Sequence, residues 1–280
     1  MESAREVLEF SDLTPYLLLQ NGNYLYKVPF RGGFAVLKVY YGSRGPVSRV
    51  VKSVENVVFA GQTSYMPMTR LRTERACMEL WRKHGFRVFE IYEDVEVIAP
   101  ECPPGGYLLM EYVEAPKILG YLQEPEASLD EKIELYRRFL AEWGRRHELA
   151  ISLREPRLVH ENGDGNHVML AEGGFLWFDF EMVYRYRSRV RYQVAHEIVQ
   201  YLWHTLKAVP QDVAEALLAE TVAHYPARQH LHTAYEVFLS HPDPVHRIAR
   251  ALDRTFRKRA SKPTSKYNVA RRLRAALSQA

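Results

Sequence analysis

The sequence predicts an α+β, bilobal chain: a small antiparallel-sheet N-lobe with one helix over residues 1–113, and a larger helical C-lobe over 114–280. Three observations predict it. Short β-rich runs separated by tight-turn dipeptides fill the first third of the chain. A capping box at Ser128 then opens a long amphipathic segment, and a Gly-rich polar loop flanked by apolar runs follows. With 47% hydrophobic and 26% charged residues over 280 positions, the chain can bury a core, which excludes a disordered protein.

The first lobe begins with three strands, at 16–20, 24–28 and 34–40, turned at Asn21-Gly22 and Arg31-Gly32-Gly33. Residues 69–84 are rich in helix formers and carry Leu71, Ala76, Met78, Leu80 and Trp81, so a helix is expected to end before Gly85. Further strands are expected at 87–92, 96–99 and 107–113, split by Pro103-Pro104-Gly105-Gly106. In the second lobe, Ser128-x-x-Glu131 caps a helix over 129–150, whose Ile133, Tyr136, Leu140, Trp143 and His147 recur at helical spacing. Helices follow at 194–209, from Pro210 to about 225, and at 246–259.

The formal charge of +4 divides unevenly. From Arg254 to Ala280 there are nine Lys and Arg and no acid; removing those nine from the 38 leaves 29 basic against 34 acidic residues, a balance of −5. Such a tail suits a polyanion, whether nucleic acid, an anionic membrane face or a phosphorylated glycolipid; the alternatives are a solvated terminal helix with a charged face, or a last helix packed on the C-lobe. Cys77 and Cys102 form no CxxC and are too few for a disulfide framework, which points to a reducing compartment. The N-terminus has no basic start followed by an apolar run, and no stretch of about 18 apolar residues occurs, so a cytoplasmic chain is expected.

The chemistry gathers in the stretch from Leu158 to Glu181. A polar loop, His160-Glu161-Asn162-Gly163-Asp164-Gly165-Asn166, is followed by a hairpin turned at Gly173-Gly174 that delivers Asp179. Such a layout brings amide and carboxylate oxygens toward a hard cation. Mg²⁺ takes one or two such protein ligands and leaves its other positions to phosphate and water, so Asn166 and Asp179 are its candidates.

Lys38 in Val36-Leu37-Lys38, Glu74 on the expected N-lobe helix, the strand ending Met110-Glu111-Tyr112-Val113, Asn166, and Asp179-Phe180-Glu181 occur in an order that resembles the protein-kinase-like fold. The resemblance implies that Lys38, held by Glu74, grips the α- and β-phosphates of ATP, and that Asn166 and Asp179 hold Mg²⁺. It also implies that the backbone from Glu111 to Val113 receives adenine. Gly22 is the one glycine in the turn where a phosphate loop is expected. Lys38-Val39-Tyr40-Tyr41-Gly42, the stretch Val57-Val58-Phe59-Ala60-Gly61 and Thr69-Arg70-Leu71-Arg72-Thr73-Glu74-Arg75-Ala76 further resemble the lipopolysaccharide core kinases, which phosphorylate Kdo or heptose sugars; the resemblance runs from residue 16 to about 205 and is strongest at 34–85 and 158–181. That resemblance implies a sugar hydroxyl on a glycolipid as acceptor and peripheral attachment to the inner face of the cytoplasmic membrane, helped by Arg44, Arg49, Lys52 and the basic tail. It shifts the expected partner from nucleic acid to an anionic glycolipid; the oligomeric state is left open.

One position departs from the kinase pattern. Counting back five residues from Asn166 reaches Glu161 where an Asp is expected, and Val159 stands where His is expected. Glu161 is therefore one candidate base and Asp164, in the same loop, the other. A third reading is a pseudokinase that binds nucleotide without transfer; a soluble aminoglycoside-type kinase is a further alternative. Arg185, Arg187, Arg189 and Arg191 alternate with Tyr184, Tyr186 and Tyr192, which in an extended segment would put four guanidiniums on one face toward an acidic substrate.

Overall fold

The computed structural model describes residues 5–40, 46–239 and 265–280. It combines an antiparallel-sheet N-terminal part with a helical C-terminal part, in two compact units. The first unit holds Met1–Ala115 and also Leu176–Val183; the second holds Pro116–Phe175 and Tyr184–Ala280. Asp179, placed by sequence in the C-lobe, thus clusters with the first unit.

In the first unit, β1 (Glu6–Glu9) pairs in parallel with β6 (Val95–Ile98). The main sheet has the order β2 (Leu17–Gln20), β3 (Tyr24–Phe30), β4 (Gly33–Val39), β7 (Tyr107–Glu111), all antiparallel. Alternation fixes its faces. Tyr26, Val28 and Phe30 on β3 and Ala35, Leu37 and Val39 on β4 are buried in one cluster with Leu13, Val95, Val97 and Leu109. Each large apolar side chain there is worth about 2 kcal/mol relative to exposure. Lys38, between Leu37 and Val39, must face the other way.

The β3–β4 turn is the two-residue loop Arg31-Gly32, both at positive φ (47° and 77°), as the twist of a tight hairpin requires. Arg31 tolerates that backbone while its guanidinium holds Glu6 (2.9 Å) and Asp94 (2.6 Å).

The unit has more helix than the single one expected. Besides α2 (Pro67–Lys83), α1 (Pro46–Val54) continues as a wider turn over Glu55–Ala60 closed by Gly61 at φ 64°. The strand expected at 87–92 shrinks to β5 (Arg87–Val88) plus a bridge from Ile91 to Met110. β5 pairs in parallel with the end of β9 (Gly174–Trp177) at Leu176 and Trp177. Trp81, fully buried on α2, packs its ring on Trp177 (5.6 Å) and Phe180 (4.6 Å). Thr63 and Val183 exchange hydrogen bonds, Thr63 N–H to the Val183 carbonyl at 2.9 Å and Val183 N–H to Thr63 Oγ1 at 3.3 Å. These contacts fix the segment that carries Asp179 and Glu181.

In the second unit, α3 (Ile118–Gln123) precedes α4 (Leu129–Leu153), whose Ser128 and Glu131 form the expected reciprocal cap. β8 (Val168–Ala171) follows the polar loop. Then come α5 (Val190–Ala208), α6 (Gln211–His224), α7 (Arg228–Leu239) and α8 (Lys266–Gln279). Within the basic tail, α8 packs on α5, α6 and α7 through buried Val269, Ala270, Leu273 and Leu277. Lys266, Arg271, Arg272 and Arg274 therefore belong to a docked helix, while the other five basic residues and the helix expected at 246–259 lie outside the described residues. So does Arg44. No described helix is long and apolar enough to cross a membrane. Residues 185–191 are not one extended face, because Arg187–Arg189 form a short 3-10 turn and α5 starts at Val190.

Candidate active site

The polar face of β4 meets α2. Lys38 is 6% and Glu74 2% exposed, and Lys38 Nζ contacts Glu74 Oε2 at 2.6 Å. Pairing of this kind is obligatory, since an ammonium or carboxylate buried alone would neutralise instead. Tyr40, two residues on and so on the same strand face, donates its hydroxyl to Glu74 Oε2.

Two more acids reach the same amine from the segment after β9. Glu181 Oε1 stands 2.8 Å and Asp179 Oδ1 3.9 Å from Lys38 Nζ. Phe180, between them in sequence, is buried, and Asp179 has φ 73°. A non-glycine residue held in the left-handed region is strained, and such strain concentrates at functional sites.

Glu181 is also tied to Arg70, which lies one helical turn before Glu74 on α2. Arg70 Nε donates to Glu181 Oε2 at 2.9 Å, Nη2 to Asn23 Oδ1 at 2.6 Å and Nη1 to the Gly22 carbonyl at 3.3 Å. Asn23 in turn donates to Glu181. The turn expected to replace a phosphate loop is thus fastened to α2 and to Glu181. Gly22 is required there: φ is 76°, and a Cβ would come within 2.9 Å of Tyr65 Oη.

The charges sort by their partners. Burial would lower the Lys38 pKa, but Glu181, Glu74 and Asp179 outweigh it and raise it. Burial raises Glu74 against the pull of its one cation, Lys38. For Glu181 the same burial is overcome by two cations, Lys38 and Arg70, and its pKa falls. Tyr40 is pushed well up by burial and by Glu74.

Of the adenine candidates, Glu111 has its N–H committed to the Glu90 carbonyl at 2.9 Å. Val113 lies past the end of β7, and no hydrogen bond of its backbone occurs among the described residues. A cavity of about 560 Å³ in the same unit, lined by Arg75, Tyr92, Val97 and Tyr107, involves none of the site residues.

The polar loop of the second unit is held from beneath. Glu197, fully buried on α5, accepts the His160 N–H at 2.8 Å and Trp143 Nε1–H at 2.9 Å. It also pairs with Arg146, whose Nη1 donates to the Leu158 carbonyl at 2.6 Å. Burial would raise the Glu197 pKa, but Arg146 and His147 hold it far down. The His160 ring, buried, meets Tyr201 Oη at 2.9 Å, so this histidine supports the loop. Gly163 closes over it, where a Cβ would meet the His160 ring at 2.5 Å.

Above that base, Asp164 is mostly buried, accepts the Asn166 N–H at 2.6 Å and stands 3.4 Å from His204 Nδ1. Glu161 is half-buried and Asn166 exposed. Lys38, Glu74 and Asp179 are therefore brought together in the first unit, and Glu161, Asp164 and Asn166 share one loop of the second.

Sequence reasoning does not single out Arg70, Tyr40, Asn23, Glu181 or Glu197. Signals existed: Arg70 and Glu74 are four apart on one helix, Tyr40 and Lys38 two apart on one strand, and Glu197 is an acid among Val194, Ile198 and Tyr201.

Among the described residues no group of three or more His, Cys, Asp or Glu is placed to hold a metal by itself. Asp179, a carboxylate 31% exposed beside an ammonium, fits a hard cation that takes one or two protein oxygens.

No protein-family profile matches the chain, and no curated protein matches it. Among solved structures it is similar to the Rio2 kinase from Chaetomium thermophilum. In a complex described as Rio2 kinase-ADP/Mg²⁺-phosphoaspartate the identity is 14%, 78% of this chain and 67% of that chain are covered, and the TM-score is 0.39. For a second structure of the same kinase the figures are 14%, 77%, 68% and 0.38.

Proposed function

We propose that the protein is an ATP- and Mg²⁺-dependent phosphotransferase with a hydroxyl acceptor. The observation that carries this is the buried Lys38–Glu74 pair with the Asp179 carboxylate 3.9 Å from the same ammonium on a strained backbone. A buried cation held by one acid and faced by a part-exposed second acid suits a polyphosphate and its counter-ion. Lys38 grips the α- and β-phosphates, Glu74 fixes the lysine, and Asp179 with Asn166 holds Mg²⁺. Bound Mg²⁺ neutralises charge on the phosphate oxygens. Glu161, or Asp164 from the same loop, orients the acceptor hydroxyl and accepts its proton. The finer reading, a sugar hydroxyl of a lipopolysaccharide inner-core glycolipid at the inner membrane face, is supported by the sequence resemblance of 34–85 and 158–181.

A second reading is a pseudokinase, favoured by Glu181, which occupies Lys38 at 2.8 Å, and by Glu161 in the base position. The test is phosphoryl transfer from ATP to Kdo- and heptose-bearing acceptors by wild type, Asp179→Ala, Glu161→Gln and Asp164→Asn. Turnover lost in Asp179→Ala and in one of the loop variants supports the phosphotransferase. Nucleotide binding without turnover on any acceptor, indifferent to both loop variants, supports the second reading.

A further inference from the structure

Lys266 opens α8, and its ammonium turns into the second unit. Nζ donates to Gln200 Oε1 at 2.6 Å, and Gln200 Nε2 reaches Asn162 Oδ1 at 3.4 Å, in the loop that carries Glu161 and Asp164. The same Nζ stands 5.1 Å from the centroid of the Trp203 ring, and Lys207 Nζ stands 5.3 Å from it. The next residue of α5, His204, packs edge-on against Trp203 at 4.4 Å and faces Asp164. Two ammoniums thus share one indole beside the two candidate bases.

The position of Lys266 is costly for a merely structural residue. Burial lowers its pKa, opposed by the nearby Glu161 carboxylate. Lys207, Lys266 and His167 act together on His204, whose pKa burial depresses and Asp164 supports. The helix itself does not need this amine, because Val269, Ala270, Leu273 and Leu277 bury its apolar face and Ser265 caps it at Asn268 N–H. An ammonium has three N–H donors, and one goes to Gln200. A compact cation on a flexible stem is suited to an anion approached from solvent.

We propose that Lys266 and Lys207, against Trp203, form the docking site for an anionic group, a phosphate or carboxylate, of the acceptor molecule, with its hydroxyl presented to Glu161 and Asp164. This rests on the phosphotransferase reading and narrows the acceptor to an anionic one.

The test uses the full chain and the fluorescence of Trp203. Trp81, Trp143 and Trp177 are fully buried, whereas Trp203 is not. Inorganic phosphate, glucose 6-phosphate, neutral glucose and vesicles containing phosphatidic acid are titrated in turn, without nucleotide. The expected result is a saturable change with phosphate and glucose 6-phosphate, none with glucose, and at least a tenfold higher Kd in Lys266→Gln and in exposed Lys207→Gln, both checked by circular dichroism. A response to the vesicles alone, lost in both variants, would assign the anion to a lipid headgroup and equally support the site. No saturable change with any anion, or an unchanged Kd in both folded variants, would overturn it. ATP binding is measured separately: its absence with an intact phosphate signal would overturn the phosphotransferase reading alone.

Discussion

Glu181 Oε1 stands 2.8 Å from Lys38 Nζ, the same ammonium that Glu74 Oε2 contacts at 2.6 Å. Lys38 is thus shared between an acid on a neighbouring helix and one that arrives with Asp179. The two acids differ in purpose. Glu74 has one cation and a tyrosine hydroxyl, whereas Glu181 has Lys38, Arg70 and Asn23, and it ties the Gly22 turn to the site.

Glu181→Gln leaves Arg70 buried with a neutral partner. Breaking one half of a buried pair costs about 3–5 kcal/mol, so urea unfolding should register a loss of that order. The double variant Arg70→Gln/Glu181→Gln should recover part of it. Additive losses in the two single variants would show that the pair is not coupled.

Tyr40→Phe removes the hydroxyl that Glu74 accepts in a dry site. A hydrogen bond to a charged group is worth about 1.5–3 kcal/mol, and stability should fall by that amount with the fold retained. An unchanged denaturation midpoint would deny the contact any energetic role.

Gly22→Ala meets both a positive φ and Tyr65 Oη. A loss of about 1–2 kcal/mol in unfolding free energy is expected from the left-handed backbone alone. Adding Tyr65→Phe to Gly22→Ala should return the part due to crowding.

His147 sets a pH dependence. Burial holds its pKa down at about 4 against 6.5 for the free side chain, although Glu197 lies 3.2 Å away. Above pH 6.5 neither state takes the proton. Between 6.5 and about 4 the unfolded chain binds a proton that the folded one refuses, so stability falls as pH drops. The loss is on the order of 3 kcal/mol across that window. Thermal midpoints from pH 7.5 to 4.5 should decline more steeply in wild type than in His147→Gln; parallel slopes would contradict the assignment.

The architecture was legible where local pattern decides it. Alternation in 24–39 gives two strands and turns Lys38 off the core face, and Ser128-x-x-Glu131 gives the start of α4. Where the pattern is short or shared with other structures it was not. The strand at 87–92 lost most of its length because a two-residue parallel pairing and one bridge are all that 87–91 make, which no local alternation announces. α1 carries Val47, Val50, Val51 and Val54 at i, i+3, i+4 and i+7, so its amphipathic pattern could have been read, even though Val50, Val51 and Val54 stay exposed. α7 carries Leu231, Ala234 and Val237 at helical spacing and could have been read.

The site divides the same way. Lys38, Glu74 and Asp179 follow from their order along the chain, but Glu181 on Lys38 joins residues far apart in sequence. Only the fold reveals it. Likewise the charge of the tail was visible, while the docking of Lys266 on Gln200, 66 positions away, was not.

The central claim is that the Lys38–Glu74–Asp179 cluster binds a nucleotide through a divalent cation. Calorimetric titration of ATP with and without Mg²⁺ into wild type, Lys38→Met and Asp179→Ala tests it most directly. The account predicts Mg²⁺-dependent binding in wild type, none in Lys38→Met, and loss of the Mg²⁺ dependence in Asp179→Ala. A folded wild type that binds no ATP, or binds it equally well in all three with and without Mg²⁺, would contradict it.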